Sequence, residues 1–130
     1  MNFSVVILGA PYSSQSAATA YRFTEALLAK GHSIYRLFFY HDGVHNGSQL
    51  AVSAQDETST AECWHQLITD YQLDAVVCIA SALRRGVLNS DEAVRHDKRC
   101  ANLRSYFAVV GLGDLVEAAQ QSDRLITFGP

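Results

Sequence analysis

The sequence has no run of like charge, no low-complexity tract and no internal repeat, and its only prolines are Pro11 and Pro130. Ten basic residues stand against thirteen acidic ones, a net charge of −3, so direct nucleic-acid binding has no compositional support. No apolar stretch approaches the roughly 18 residues needed to cross a bilayer. The apolar start, Met1 to Leu8, lacks a positively charged beginning and is cut short by Gly9-Ala10-Pro11, so it reads as a strand and not as a secretory leader. Cysteine is scarce. Cys63, Cys78 and Cys100 lie 15 and 22 positions apart, with no Cys-x-x-Cys pair, no zinc spacing and no even set for a disulfide framework. An odd number of thiols without a leader predicts reduced cysteines in a soluble, cytoplasmic protein.

What is present describes one folded domain. The 130 residues, 48% hydrophobic and 18% charged, suffice for one core spanning residues 1–130 but not comfortably for two. Phe3 to Leu8 and the aromatic, β-branched stretch Ser33 to Tyr40 read as strands. Between them Ala17, Ala20, Tyr21, Thr24, Leu27 and Leu28 recur at helical spacing, with Lys30 and Gly31 as stop signals. Residues 41 to 58 read as a polar loop. Ser59 and Glu62 form a capping-box pattern ahead of a helix whose apolar face is Trp64, Leu67, Ile68 and Tyr71. Asp74 to Ile79 is a third strand, and Asn89-Ser90-Asp91-Glu92 suits the start of a short helix. Tyr106 to Val110, a helix marked by Leu112, Leu115, Val116 and Ala119, and Arg124 to Phe128 complete the pattern. Alternating strands and helices, with strands apolar on both sides, predict a mainly parallel sheet of about five strands covered by helices on both faces.

In such folds chemistry gathers beyond the carboxyl ends of the strands, here after Leu8, Tyr40 and Ile79. Cys78 lies at the third of these ends, directly before Ser81-Ala82-Leu83-Arg84-Arg85-Gly86. A free cysteine on an apolar strand is most often a small core residue. At a strand end opening into the cleft, turn N–H groups and two nearby arginines favour the thiolate, the reactive form of sulfur. No His–Asn/Asp set stands near it in sequence, so sulfur exchange suits it better than acyl transfer. Ser81, Arg84 and Arg85 are the candidates to hold a persulfide anion or meet an acidic partner; the bland reading of both arginines is a solvated turn. Cys63 and Cys100 read as incidental.

Other motifs are weaker. His41-Asp42-Gly43-Val44-His45 holds possible metal ligands but reads as turn chemistry, with no further ligand set evident. Gly9 to Ser16 enters the first helix with several hydroxyls, which points to helix capping rather than a phosphate loop. Gly111-Leu112-Gly113 lacks the third glycine of a dinucleotide fingerprint.

Four segments in order carry a resemblance over nearly the whole chain. They are Gly9-x-Pro11-Tyr12, Phe38-Phe39-Tyr40-x-Asp42-Gly43-Val44, Cys78-x-Ala80-x-Ala82-x-Arg84-Arg85-Gly86, and Gly111-Leu112-Gly113-x-Leu115-x-Glu117-Ala118 with Asp123-Arg124. In these the chain resembles the DsrE/TusD group of sulfurtransferases, with Val110 departing from an expected serine. The resemblance implies a three-layer α/β/α domain of flavodoxin-like topology and a persulfide-carrying cysteine matched by Cys78. It implies two related small subunits of TusB/TusC or DsrH/DsrF type in a dimer of heterotrimers. A TusA-like donor would supply the sulfur and a TusE/DsrC-like acceptor would take it, with no metal or organic cofactor. The sulfur would end in 2-thiouridine at the tRNA wobble position or, alternatively, enter dissimilatory sulfur oxidation. A different class of reading is a non-catalytic scaffold or nucleotide- or flavin-binding module, motivated by the loops after Leu8 and Tyr40.

Overall fold

A computed structural model describes residues Met1–Pro130. The chain runs β1 (Asn2–Ile7), α1 (Ser16–Ala29), β2 (Ser33–Phe39), a 3-10 turn (His41–Gly47), α2 (Thr60–Tyr71), β3 (Ala75–Cys78) and α3 (Ile79–Arg84). It then continues through α4 (Ser90–Arg95), β4 (Ala108–Val110), α5 (Gly113–Gln121) and β5 (Arg124–Phe128). No helix is long and apolar enough to cross a membrane.

All five strands are parallel, in the order β4-β3-β2-β1-β5. This is the predicted α/β sheet, with one refinement. In the flavodoxin order the edge strand beside the first is the second; here it is the last. Each step from β1 to β4 moves one strand in the same direction, and right-handed crossovers carry the intervening helices over one face. The final connection runs back across the sheet to β5, which places α5 on the opposite face. The two faces are therefore unequal.

Side-chain alternation sorts the strands between these faces. Val5, Ile7, Leu37, Phe39, Ala75 and Val77 join Ala17 and Ala20 of α1 and Trp64, Leu67 and Ile68 of α2 in a core of 16 buried residues. Burying each large side chain there contributes roughly 1.5–3 kcal/mol. Val6, Phe38, Val76 and Cys78 point the other way, with only Leu8, Tyr40, Val110, Leu115 and Leu125 packed around them. Arg36 helps to hold α5 on this thinner side. Its guanidinium reaches Asp74 at 2.9 Å, the Asp114 carbonyl at 2.9 Å and Glu117 at 3.2 Å.

The element boundaries follow their local chemistry. Ser59 Oγ accepts from the Glu62 N–H at 3.2 Å, so α2 is capped as expected. The reciprocal half of the capping box is absent, because the Glu62 carboxylate pairs with Arg104. Asn89 caps α4 through the Glu92 N–H at 2.9 Å. No side chain caps α1, whose N-cap is Gln15; Ser14 Oγ takes the Ser16 N–H at 3.4 Å. Gly31 follows α1 at φ +88°, where glycine is unstrained.

Four expectations shift. Tyr71 is exposed, because the last turn of α2 runs past the core. Tyr106 stays outside β4, stacked on His65 and Phe107. Leu112 and Val116 of the α5 stripe are exposed, since one helix cannot cover its face of the sheet. Residues 41–47, expected as polar loop, form a largely buried 3-10 turn. There Val44 is fully buried, and Asn46 donates to the carbonyls of Gly9 and Gly43. Gly43 passes so close to β1 that a Cβ would lie 2.0 Å from the Ile7 carbonyl oxygen.

Candidate active site

Cys78 is the last residue of β3 and the N-cap of α3, and no side chain caps that helix end. The segment expected as a turn carrying two arginines is thus a short helix. Val77 faces the larger core, and period-2 alternation turns Cys78 towards the thinner face. The residue is only 3% exposed, less open than its strand-end position predicts. It is not sealed in. Cys78 lines a cavity of about 360 Å³, together with Tyr40, His41, Ser81, Arg84, Arg85 and Leu112.

The sequence-predicted residues around it take different roles. Ser81 is buried, and its hydroxyl accepts the His41 N–H at 3.1 Å, which ties α3 to the start of the 3-10 turn. Arg85 Nε donates to Asp42 Oδ1 at 2.7 Å and Nη1 to the Ser81 carbonyl at 3.2 Å. The Arg85 hydrogen bond and charge hold the Asp42 carboxyl below the usual aspartate value. Arg84 also borders the cavity, but it is exposed and makes no hydrogen bond or ion pair. Both arginines line the cavity, but Arg85, which follows the last residue of α3, is paired with Asp42, whereas Arg84 is not paired.

Cys63 sits in a setting hostile to its thiolate. Burial first, then Glu25 and Glu62, push its ionisation up. Cys100 is exposed and lies outside the Cys78 cavity. His41, Asp42 and His45 gather no third ligand type, and no cluster of three or more His, Cys, Asp or Glu side chains is placed to hold a metal.

The residue that spacing did not single out for this site is His41. It enters through tertiary contact, because Phe39 of β2 pairs in register with Val77 of β3. The chain ends beyond that pair, Tyr40-His41 and Cys78, therefore emerge side by side. Tyr40 and His41 also wall a second, apolar cavity of about 470 Å³ that runs between β1, β5 and α5, lined by Leu8, Leu115, Val116 and Leu125.

The model of the DsrE/DsrF-like family matches residues 1–128. The chain belongs to this family. Among DsrE/DsrF-like relatives, the sulfurtransferase TusD homolog of Pseudomonas aeruginosa is 52% identical, over 99% of this chain and 98% of its own. The DsrE protein of Allochromatium vinosum is 46% identical over 99% of each chain. Sulfurtransferase TusD of Serratia proteamaculans is 44% identical over 98% of this chain and 99% of its own. The crystal structure of the ychN protein from E. coli superposes with a TM-score of 0.75, at 22% identity, over 98% of this chain and 100% of that one. At that identity it supports the fold alone.

Proposed function

We propose that this chain is a sulfurtransferase that accepts sulfane sulfur as a persulfide on Cys78 and hands it to an acceptor protein. Full-length relatives bearing sulfurtransferase names support the activity. The observation that carries the site is that Cys78 lines a cavity also bordered by a guanidinium with no carboxylate partner, Arg84. The thiolate attacks the outer sulfur of a donor persulfide, and the donor leaves as a thiolate. An acceptor thiolate then removes the same sulfur from Cys78–S–SH. Neither step needs a metal or an organic cofactor, because both are displacements at sulfur.

The environment suits both steps. Arg84 and the uncapped first-turn N–H groups of α3 present positive charge to a sulfur anion. Low exposure slows the reaction of the persulfide with bulk thiols, and the cavity still admits an incoming thiol. Arg85 acts at one remove, by fixing Asp42 and the Ser81 carbonyl.

Transfer between proteins requires partners. A TusA-like donor and a TusE/DsrC-like acceptor fit the relay, with 2-thiouridine at the tRNA wobble position as the endpoint. The similarity to DsrE keeps dissimilatory sulfur oxidation as the second destination. Two related small subunits of TusB/TusC or DsrH/DsrF type would cover the exposed Leu112 and Val116 on the thinly covered face.

Mass spectrometry after incubation with a persulfidated donor tests the proposal. One added sulfur on the wild type and none on Cys78→Ser is the expected result. Equal labelling of the two proteins would end it.

A further inference from the structure

His41 is held beside the candidate sulfur carrier by two contacts and a constrained backbone. Its backbone is left-handed, at φ +49°, a region uncommon for residues other than glycine and entered most often by asparagine, aspartate and histidine. Its N–H is tied to Ser81 Oγ at 3.1 Å, on the helix that Cys78 begins. Its ring stacks on Tyr40 with centroids 4.1 Å apart and planes at 17°. Neither ring nitrogen has a hydrogen-bond partner, and the residue lines the Cys78 cavity. His41 is exposed, so its ring nitrogens are free to meet solvent or a reactant, while the Ser81 hydrogen bond and the Tyr40 stacking fix where the residue borders the cavity.

The charged and titratable groups around it leave the ring a distinct task. Arg84 and Arg85, at the end of α3, line the same cavity, Asp42 and His45 belong to its own turn, and Tyr40 stacks against its ring. A guanidinium supplies charge but exchanges no proton near neutrality. The Asp42 carboxylate is bound to Arg85. Imidazole both gives and takes a proton between about pH 5 and 8.

We propose that His41 is the proton carrier of the transfer, an inference that rests on Cys78 being the sulfur carrier. In loading, the Cys78 thiolate forms a bond to the outer sulfur of the donor persulfide, and the donor's S–S bond breaks. The electron pair leaves on the donor sulfur, which takes a proton from the His41 imidazolium and departs as a thiol. In delivery, neutral His41 removes the proton of the acceptor thiol. The acceptor thiolate bonds to the outer sulfur, the S–S bond at Cys78 breaks, and the electron pair returns to Cys78 as thiolate. One cycle restores both the thiolate and the imidazolium, with no external oxidant or reductant.

Single-turnover kinetics with glutathione persulfide as donor and 2-mercaptoethanol as acceptor, from about pH 5.5 to 8.5, test this. His41→Asn keeps the left-handed backbone accessible, and His41→Arg keeps a charge without proton exchange. Both variants are expected to transfer at least about tenfold more slowly near neutrality and to lose the wild-type pH dependence there. Wild-type rates in His41→Asn, or full rescue of rate and pH profile by His41→Arg, would overturn the proposal. His41→Gln provides the same comparison if the asparagine variant melts early. Prolonged incubation separates the two hypotheses. The His41 variants should still reach full sulfur loading on Cys78, whereas a wild type that never loads, or a Cys78→Ser that does, refutes the carrier itself. A wild type that loads on Cys78 while the His41 variants keep its rates refutes only the proton carrier.

Discussion

Arg85, which lines the Cys78 cavity, and Asp42, 43 positions apart, form a 2.7 Å hydrogen-bonded ion pair that ties the end of α3 to the 3-10 turn. The next residue back, Arg84, borders the same cavity with no partner. Two arginines that look equivalent in sequence are therefore expected to separate in experiment.

Arg84→Ala should slow sulfur loading several-fold while leaving the melting temperature unchanged, because exposed, unpaired charges contribute little to folding. Arg85→Ala should lower the melting temperature as well, since it frees Asp42 and the Ser81 carbonyl. Loading rates and thermal melts of the two variants check this; equal behaviour in both measurements would contradict the division of roles.

The same pair sets a pH dependence. Asp42 ionises below its ordinary value of 3.8 in the folded protein because Arg85 binds its charged form. The unfolded chain then holds more protons in that range, so this contribution to stability is complete above the unfolded value and is lost as pH falls through the folded one. Melting temperatures of Asp42→Asn should converge on those of the wild type in strong acid and fall below them at neutral pH.

Gly43→Ala places a methyl group 2.0 Å from the Ile7 carbonyl oxygen, an atom the sheet cannot move freely. A loss of about 1–3 kcal/mol in urea unfolding is expected, as for other overpacking changes. Gly113→Ala, in the first turn of α5 with open space around it, should instead be neutral or gain up to about 1 kcal/mol.

Trp64 is fully buried, edge-on to Phe39 and Tyr21 at 5.3 and 5.6 Å, and its indole N–H has no acceptor. Trp64→Ala should cost about 3–5 kcal/mol. Trp64→Phe should cost much less, because it keeps most of the aromatic contact and removes an unsatisfied donor. Chemical denaturation of both variants provides the comparison.

Arg36 links β2 to Asp74, to Glu117 and to the Asp114 carbonyl on the one helix covering the thin face. Hydrogen exchange in Gly113–Gln121 should accelerate in Arg36→Leu, with α1 little affected. Uniform acceleration throughout the chain would point to a global role instead.

Much of this protein is decided by local pattern. Apolar periodicity separates the strands from the helices, Ser59 and Asn89 announce their helices, and Lys30-Gly31 ends another. Cys78 stands out because it ends the most apolar strand and precedes a basic segment. These features involve near neighbours in the chain, so the sequence alone is sufficient to place them. It also determines that the sheet is parallel, since each strand is followed by enough helical residues to return to the same end.

Other features depend on long-range pairing. The direction reversal between β4 and β5 leaves α5 alone on its face, so the α5 stripe is half exposed although its pattern is that of a core helix. The turn at 41–47 is buried because Gly43 fits against Ile7, a contact that composition does not reveal. Arg84 and Arg85 part company only once α3 is a helix and Asp42 arrives beside it. His41 reaches the cavity because β2 and β3 are in register. Sequence fixes what each residue can do within its own turn or strand; only closure of the sheet decides which distant residues meet, because that depends on strand order and register together.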